Sequence, residues 1–203
     1  MNTSEGVKPT PEQIVRDLNS NSVLKVWEAA KATHHHSRTT SHFGKELLAL
    51  LKEGKRPSYR SAAAYALGSG NHKKAIPALE AALASRKENP YVRGYAAEAL
   101  ANLSSNRSIP LLTKCLADPS KIVRFWCIYA LGVAGTLDRR RAKIAVPPLR
   151  EIAESDKRMI PGYWLVKDEA RWALAEIEGR TKDAKKIGRQ LWARLKSAKS
   201  RRK

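Results

Sequence analysis

The sequence predicts an all-α protein, a right-handed α-solenoid of about five stacked helix pairs, and three observations carry that reading. A short phrase of residues recurs. Val123-Arg124 leads to Ala130-Leu131, and the same wording returns as Tyr59-Arg60 to Ala66-Leu67, Val92-Arg93 to Ala99-Leu100 and Val166-Lys167 to Ala173-Leu174. The steps are 33 residues from Leu67 to Leu100, 31 to Leu131 and 43 to Leu174. Such a period belongs to two-helix units that stack. Between the copies fall Ala75-Ile76-Pro77, Ser108-Ile109-Pro110 and Ala145-Val146-Pro147. Each announces another helix, because proline is tolerated in a first turn, where its missing N–H would be unpaired anyway.

Taken in order, residues 1–10 are polar and read as a flexible N-terminus, and 11–56 as a capping helix with a divergent first repeat. Thr10 caps a helix from Pro11 to Leu18. Ser22 to about Ala32, and Phe43 to Lys52, supply the two helices of that first repeat. Residues 57–196 are the regular repeats. Their Val-Arg helices are expected at about 58–68, 90–103, 120–133 and 165–178, each opening a unit that the next Ile-Pro helix closes. Gly68, Gly70, Gly132, Gly135 and Gly179 are read as helix stops. Two insertions, 136–144 and 157–165, break the period and are expected as loops along an edge. A last amphipathic helix at about 183–199 presents Ile187, Leu191 and Leu195 on one face, and 197–203 is read as a disordered basic tail.

The aligned copies indicate the core. Ala63, Ala96, Cys127 and Ala170 follow the basic residue by three positions, and Ala66, Ala99, Ala130 and Ala173 by six. Small residues on one helical face let a partner helix approach closely. Tyr65, Tyr129 and Trp172 fall about 150° from that face and are expected toward the convex side, either stacking bases or covered by the Trp164 insertion.

The composition limits the chemistry. Two cysteines, Cys115 and Cys127, lie in apolar helical patterns without metal-ligand spacing, which indicates buried free thiols in a reducing compartment. The first ten residues contain no apolar leader and no stretch reaches a membrane span's length, so a cytoplasmic, intracellular place without membrane is expected. His34, His35 and His36 point about 100° apart on a helix, and His42 and His72 add no ligand spacing; no metal site is assigned. Nor does the chain hold a phosphate loop, a nucleophile elbow or a Cys/His pair, so no catalytic residue and no cofactor is assigned.

Val92-Arg93, Ala99-Leu100, Ile109-Pro110-Leu111-Leu112 and Leu116-Ala117-Asp118 together resemble the HEAT-like repeats of the phycobilin-lyase type, over about residues 57–178. Ala101 stands where that pattern has Gly, whereas Gly68 and Gly132 keep it. The resemblance implies the solenoid fold, and a function among lyases, an iron-dependent hydroxylase, DNA glycosylases and adaptors. It also implies that each repeated Arg pairs with an Asp closing the previous unit, as Asp118 with Arg124 and more loosely Asp156 with Lys167, which gives Arg60, Arg93 and Arg124 structural work. The paired His-Glu motifs of the hydroxylase branch are missing. The glycosylase branch's aromatic residues and acid have no residue-by-residue match, although the chain owns Trp27, Trp126, Trp164, Trp172 and Trp192.

Charge points to a partner. Thirty-nine Lys and Arg against 19 Asp and Glu leave +20. Such a chain attracts polyanions. The cations cluster in the turns between helices: Lys73 and Lys74, Arg107, Arg139 with Arg140, Arg141 and Lys143, then Lys182, Lys185 and Lys186. Arg189, Arg194 and Lys196 continue the series along the last helix. These thirteen are the candidate binding residues. The first expectation is a non-enzymatic scaffold that binds nucleic acid or a ribonucleoprotein through phosphates. An adaptor or inhibitor wrapping an acidic protein draws on the same charge, and an enzyme akin to a DNA glycosylase or a bilin lyase would need a polar cleft.

Overall fold

The computed structural model describes residues 9–33 and 40–200, with side chains described for 9–33 and 43–197. Twelve α-helices follow one another among the described residues: α1 Pro11–Leu18, α2 Val23–Ala32, α3 Thr40–Glu53, α4 Pro57–Ser69, α5 Ile76–Ala84, α6 Pro90–Asn102, α7 Ile109–Lys114, α8 Lys121–Leu137, α9 Arg139–Ala142, α10 Val146–Ser155, α11 Val166–Ile177 and α12 Thr181–Ser200. Single 3-10 turns lead into α5, α7 and α10. Local chemistry accounts for several boundaries. Thr10 and Gln13 form a reciprocal capping box at α1, and Pro at the first turn opens α4, α5, α6, α7 and α10.

The phase of the pairs differs from the one expected. Each Ile-Pro helix packs on the Val-Arg helix that follows it, giving α5/α6, α7/α8 and α10/α11, the earlier helices pair as α1/α2 and α3/α4, and α12 covers the open end of α11. The small residues decide this stacking. Ala63, Ala96, Cys127 and Ala170 are all fully buried. Consecutive Val-Arg helices α4, α6, α8 and α11 pack directly on one another, whereas successive Ile-Pro helices scarcely meet. The Val-Arg row is therefore the inner, concave side of the stack.

Glycine permits that closeness. A Cβ on Gly68 would lie 2.5 Å from the Ala99 Cα, and one on Gly132 would run into the Trp172 ring. Gly68, Gly132 and Gly135 are thus contact points inside helices and not stops, because the backbone of the neighbouring helix or its side chain occupies the space a methyl would need.

The repeated arginines also work in a different direction. Arg93 pairs with Asp118 at 2.5 Å, Arg124 with Asp156 at 3.1 Å and Arg60 with Glu88 at 2.7 Å, so each reaches forward to the acid ahead of the next Val-Arg helix. Backward, each donates to a main-chain carbonyl: Arg60 to Gly54, Arg93 to Leu83 and Arg124 to Asp118. Asp118 and Arg124 meet only through that carbonyl, and Lys167 meets Asp156 only through its backbone N–H at 3.0 Å. The arginine is long enough to span from one turn to the next, and so it ties successive units.

Three segments depart from the expected loops and tail. The 136–144 insertion extends α8 to Leu137 and then forms α9, capped by the Asp138 side chain. The 157–165 insertion is an extended hairpin, with Met159 bridged to Leu165 and Gly162 at φ +80°, that folds Tyr163 and Trp164 back over the concave side. Helix α12 continues past Ser197 to Ser200, and Arg201 to Lys203 lie outside the described residues.

A candidate functional site: an aromatic cleft beside a basic edge

Two positions on each Val-Arg helix face away from its Ile-Pro partner, two and five residues after the basic residue. They read Ala62 and Tyr65 on α4, Tyr95 and Glu98 on α6, Trp126 and Tyr129 on α8, and Glu169 and Trp172 on α11. Because the Val-Arg row is concave, Tyr65, Tyr129 and Trp172 lie on the concave side and not the convex one. Their helical phase is the expected one and the side is reversed, since the sequence alone does not say which helix row is inner.

These side chains touch along the row. Tyr95 lies 5.4 Å from Trp27 and 6.4 Å from Tyr65, and Tyr129 stacks on Trp172 at 5.9 Å and 18°. Around the last three Val-Arg helices the row opens into a cleft of about 290 Å³. Its aromatic walls include Trp126, Tyr129, Tyr163, Trp164, Trp172 and Trp192. The insertion hairpin gives the roof, with Tyr163 5.4 Å from both Phe125 and Trp126. Helix α12 gives the far wall, where Trp192 meets Trp164 edge-on at 6.0 Å and remains 58% exposed. Gly132 leaves room for the Trp172 ring, which occupies the space that a Cβ there would fill.

Two carboxyl groups line this apolar space, and no Lys, Arg or His does among the described residues. Glu169 is 2% exposed, and one of its oxygens accepts a hydrogen bond from the Trp164 indole N–H. Burial pushes its carboxyl up to about 7 against that hydrogen bond. Glu98 makes no side-chain hydrogen bond or ion pair among the described residues, and burial alone lifts it to about 7. Burial, and after it the negative charge of Glu98, raises the phenols of Tyr95, Tyr129 and Tyr163, and that of Tyr129 is raised by Glu169 as well. Tyr129 therefore stands between the two acids. The sequence conceals this cleft because acid and aromatic exchange places between α6 and α11, so that neither residue type recurs at one fixed position.

The thirteen expected binding residues are all exposed. Arg107 pairs with Glu80 at 2.5 Å, Arg141 with Asp138 at 3.4 Å and Arg194 with Asp168 at 3.5 Å. Lys73, Lys74, Arg139, Arg140, Lys143, Lys182, Lys185, Lys186, Arg189 and Lys196 have no acidic partner among the described residues. The stack brings successive turns together: Arg107, in the turn before α7, reaches Glu80 on α5, and a Cβ on Gly179 would lie 3.3 Å from the Arg139 guanidinium. Lys185, Lys186, Arg189 and Lys196 lie instead along the solvent side of α12.

Cys115 and Cys127 are free and buried, as their apolar settings indicate. His34, His35 and His36 lie outside the described residues, the His42 side chain is not described, and His72 is half-buried beside Gly44. No helix among the described residues is long and apolar enough to cross a membrane.

The repeat itself decides the lineage. The family model for HEAT repeats matches residues 44–132 and 84–175. The chain belongs to the HEAT-repeat family. Deoxyhypusine hydroxylase of Bos taurus is 41% identical over 93 residues, which are 44% of this chain and 31% of that protein. This HEAT-repeat chain thus spans about a third of that relative's length. Among solved structures, the complex of CpcE and CpcF of phycocyanin lyase from Nostoc sp. PCC7120 aligns with a TM-score of 0.66 at 24% identity, over 87% of this chain and 68% of that one. An engineered protein aligns at 0.53 with 23% identity, over 82% and 78% of the two chains. At these identities the structural likeness is one of fold.

Proposed function

We propose that this HEAT-repeat chain is a non-enzymatic scaffold that binds nucleic acid or a ribonucleoprotein through its phosphates. The observation that supports the reading is the set of ten exposed cations that have no acidic partner among the described residues, placed along the turn edge and the solvent side of α12. Like charges gathered on one edge repel one another, and polyanion phosphates relieve that repulsion while releasing counterions. The likeness to deoxyhypusine hydroxylase supplies fold and not activity, since this sequence contains no His-Glu pair of the kind that the hydroxylase branch repeats.

Binding of mixed-sequence duplex DNA and of structured RNA, followed by fluorescence anisotropy across a salt series, tests the reading. A steep log-log fall is expected, with about 0.9 contributed by each duplex phosphate neutralised, and with little dependence on base sequence. An adaptor for one acidic protein would show weak, unsaturable binding to nucleic acid and a stoichiometric partner that survives nuclease treatment. That outcome would replace the nucleic-acid reading.

A further inference from the structure

We infer that the concave cleft is a binding site for an alkylated ammonium group, a cation whose charge is spread over methyl groups. The inference does not rest on the polyanion reading, because it concerns a different surface of opposite character. In a chain of net charge +20, the charged side chains lining this cleft are two glutamates. Their surroundings make them unusual. Glu169 is almost fully enclosed on α11, with one oxygen held by Trp164 and the other without a hydrogen-bond partner among the described residues. Glu98, on α6, has no polar partner there at all. Two carboxyl groups kept in an apolar cleft without counter-charge stay protonated well past their ordinary range, and a cation entering beside them favours their ionised form.

The walls choose the kind of cation. Trp126, Tyr129, Tyr163, Trp164, Trp172 and Trp192 present ring faces and edges around about 290 Å³. Ring faces attract cations through the aromatic quadrupole, most strongly where water is excluded. A primary ammonium has three N–H donors and a guanidinium five, and each loses hydration that must be replaced by acceptors. The acceptors among its lining side chains are the free carboxyl oxygens and the Tyr129 and Tyr163 hydroxyls, spread over separate elements around aromatic walls and so poorly placed to satisfy every N–H of one head group. A methylated ammonium has few or no donors to satisfy, so it gains the ring attraction and the two charges without leaving N–H groups unpaired. Neutral bases would also stack on such walls, but they would gain nothing from ionisation of the two carboxyls.

Trp126, Trp164, Trp172 and Trp192 make tryptophan fluorescence the natural readout. The full chain is titrated with choline, with its neutral carbon isostere in which tert-butyl replaces trimethylammonium, and with a short peptide carrying trimethyl-lysine or unmodified lysine. Choline or the trimethyl-lysine peptide is expected to give a saturable change, and the neutral isostere and plain lysine to bind about tenfold more weakly. Whichever of choline and peptide binds tighter identifies the source as a free metabolite-like cation or a protein side chain. The affinity of the unaltered chain should rise with pH through about 7, as Glu98 and Glu169 ionise, while the surrounding groups Tyr95, Tyr129 and Tyr163 stay neutral and Asp168 stays paired with Arg171 and Arg194. The double substitution Glu98→Gln and Glu169→Gln should weaken binding about tenfold or more, with its melting curve showing that the stack is folded. Equal binding of the neutral isostere, a pH-independent affinity, or no response to either cation would overturn the assignment.

Discussion

Glu169 shows how one buried carboxyl couples the cleft to stability. Its folded value is about 7 where the ordinary one is 4.5, so between those values the folded chain retains a proton that the unfolded chain has released. Stability therefore falls as pH rises from about 4.5 through 7 and then levels off. The total loss is about 3 kcal/mol, because each pH unit between the two values costs about 1.36 kcal/mol. Glu169→Gln retains an acceptor for the Trp164 indole N–H and removes the charge. Melting temperatures at acid and at mildly alkaline pH should show the variant level with the parent in acid and more stable above neutrality. An equal shift at both ends would mean that the carboxyl is not held neutral by burial. Gly132 offers a steric counterpart, since a methyl there would run into the Trp172 ring. Gly132→Ala should displace that ring and change near-ultraviolet circular dichroism, with a loss of about 1–3 kcal/mol from overpacking.

At the scale of the helix, most of the stack can be read from the recurring Val-Arg to Ala-Leu phrase. Ala63, Ala96, Cys127 and Ala170 lie fully buried, as small residues on one face require. Ala96→Leu should lower stability by about 1–3 kcal/mol in chemical denaturation, because α6 has packed neighbours on both sides and no room to yield. The pairing phase, the inner row and the reach of the arginines are not legible in the sequence, and for one reason. Local periodicity names the buried face of a helix but not which neighbour covers it; both adjacent Ile-Pro helices are candidates until the stack closes. The same gap hides the cleft, because Glu98 and Glu169 look like ordinary solvated acids until Tyr163 and Trp164 fold over them. The forward pairs make a further claim testable. Asp118→Ala leaves Arg93 buried without its partner and should destabilise by about 3–5 kcal/mol, far more than the same change at exposed Asp183.

Over the whole molecule, two surfaces of opposite character share one stack: an inner cleft with two acids, and an outer edge and end helix with many cations. The edge yields the prediction that most sharply tests phosphate binding. Arg139, Arg140 and Arg141 are all exposed on α9, but Arg141 already faces Asp138 at 3.4 Å. An arginine so engaged gives less to phosphate than its two neighbours. Changing all three to Ala should therefore lower the log-log salt slope for duplex binding by about 2, against a limit of nearly 3 if every one met a phosphate. Melting should scarcely move, since exposed pairs such as Arg141 with Asp138 contribute about 0–1 kcal/mol. Lys185→Ala with Lys186→Ala and Arg189→Ala, on α12, forms the matching triple with no ion pair to discount among the described residues, and should lower the slope by nearly 3 if that helix also follows the phosphates. A slope changed by the first triple and untouched by the second would confine the polyanion to the turn edge. A slope untouched by either would remove both surfaces from the nucleic-acid reading and leave an acidic protein as the partner of the charge.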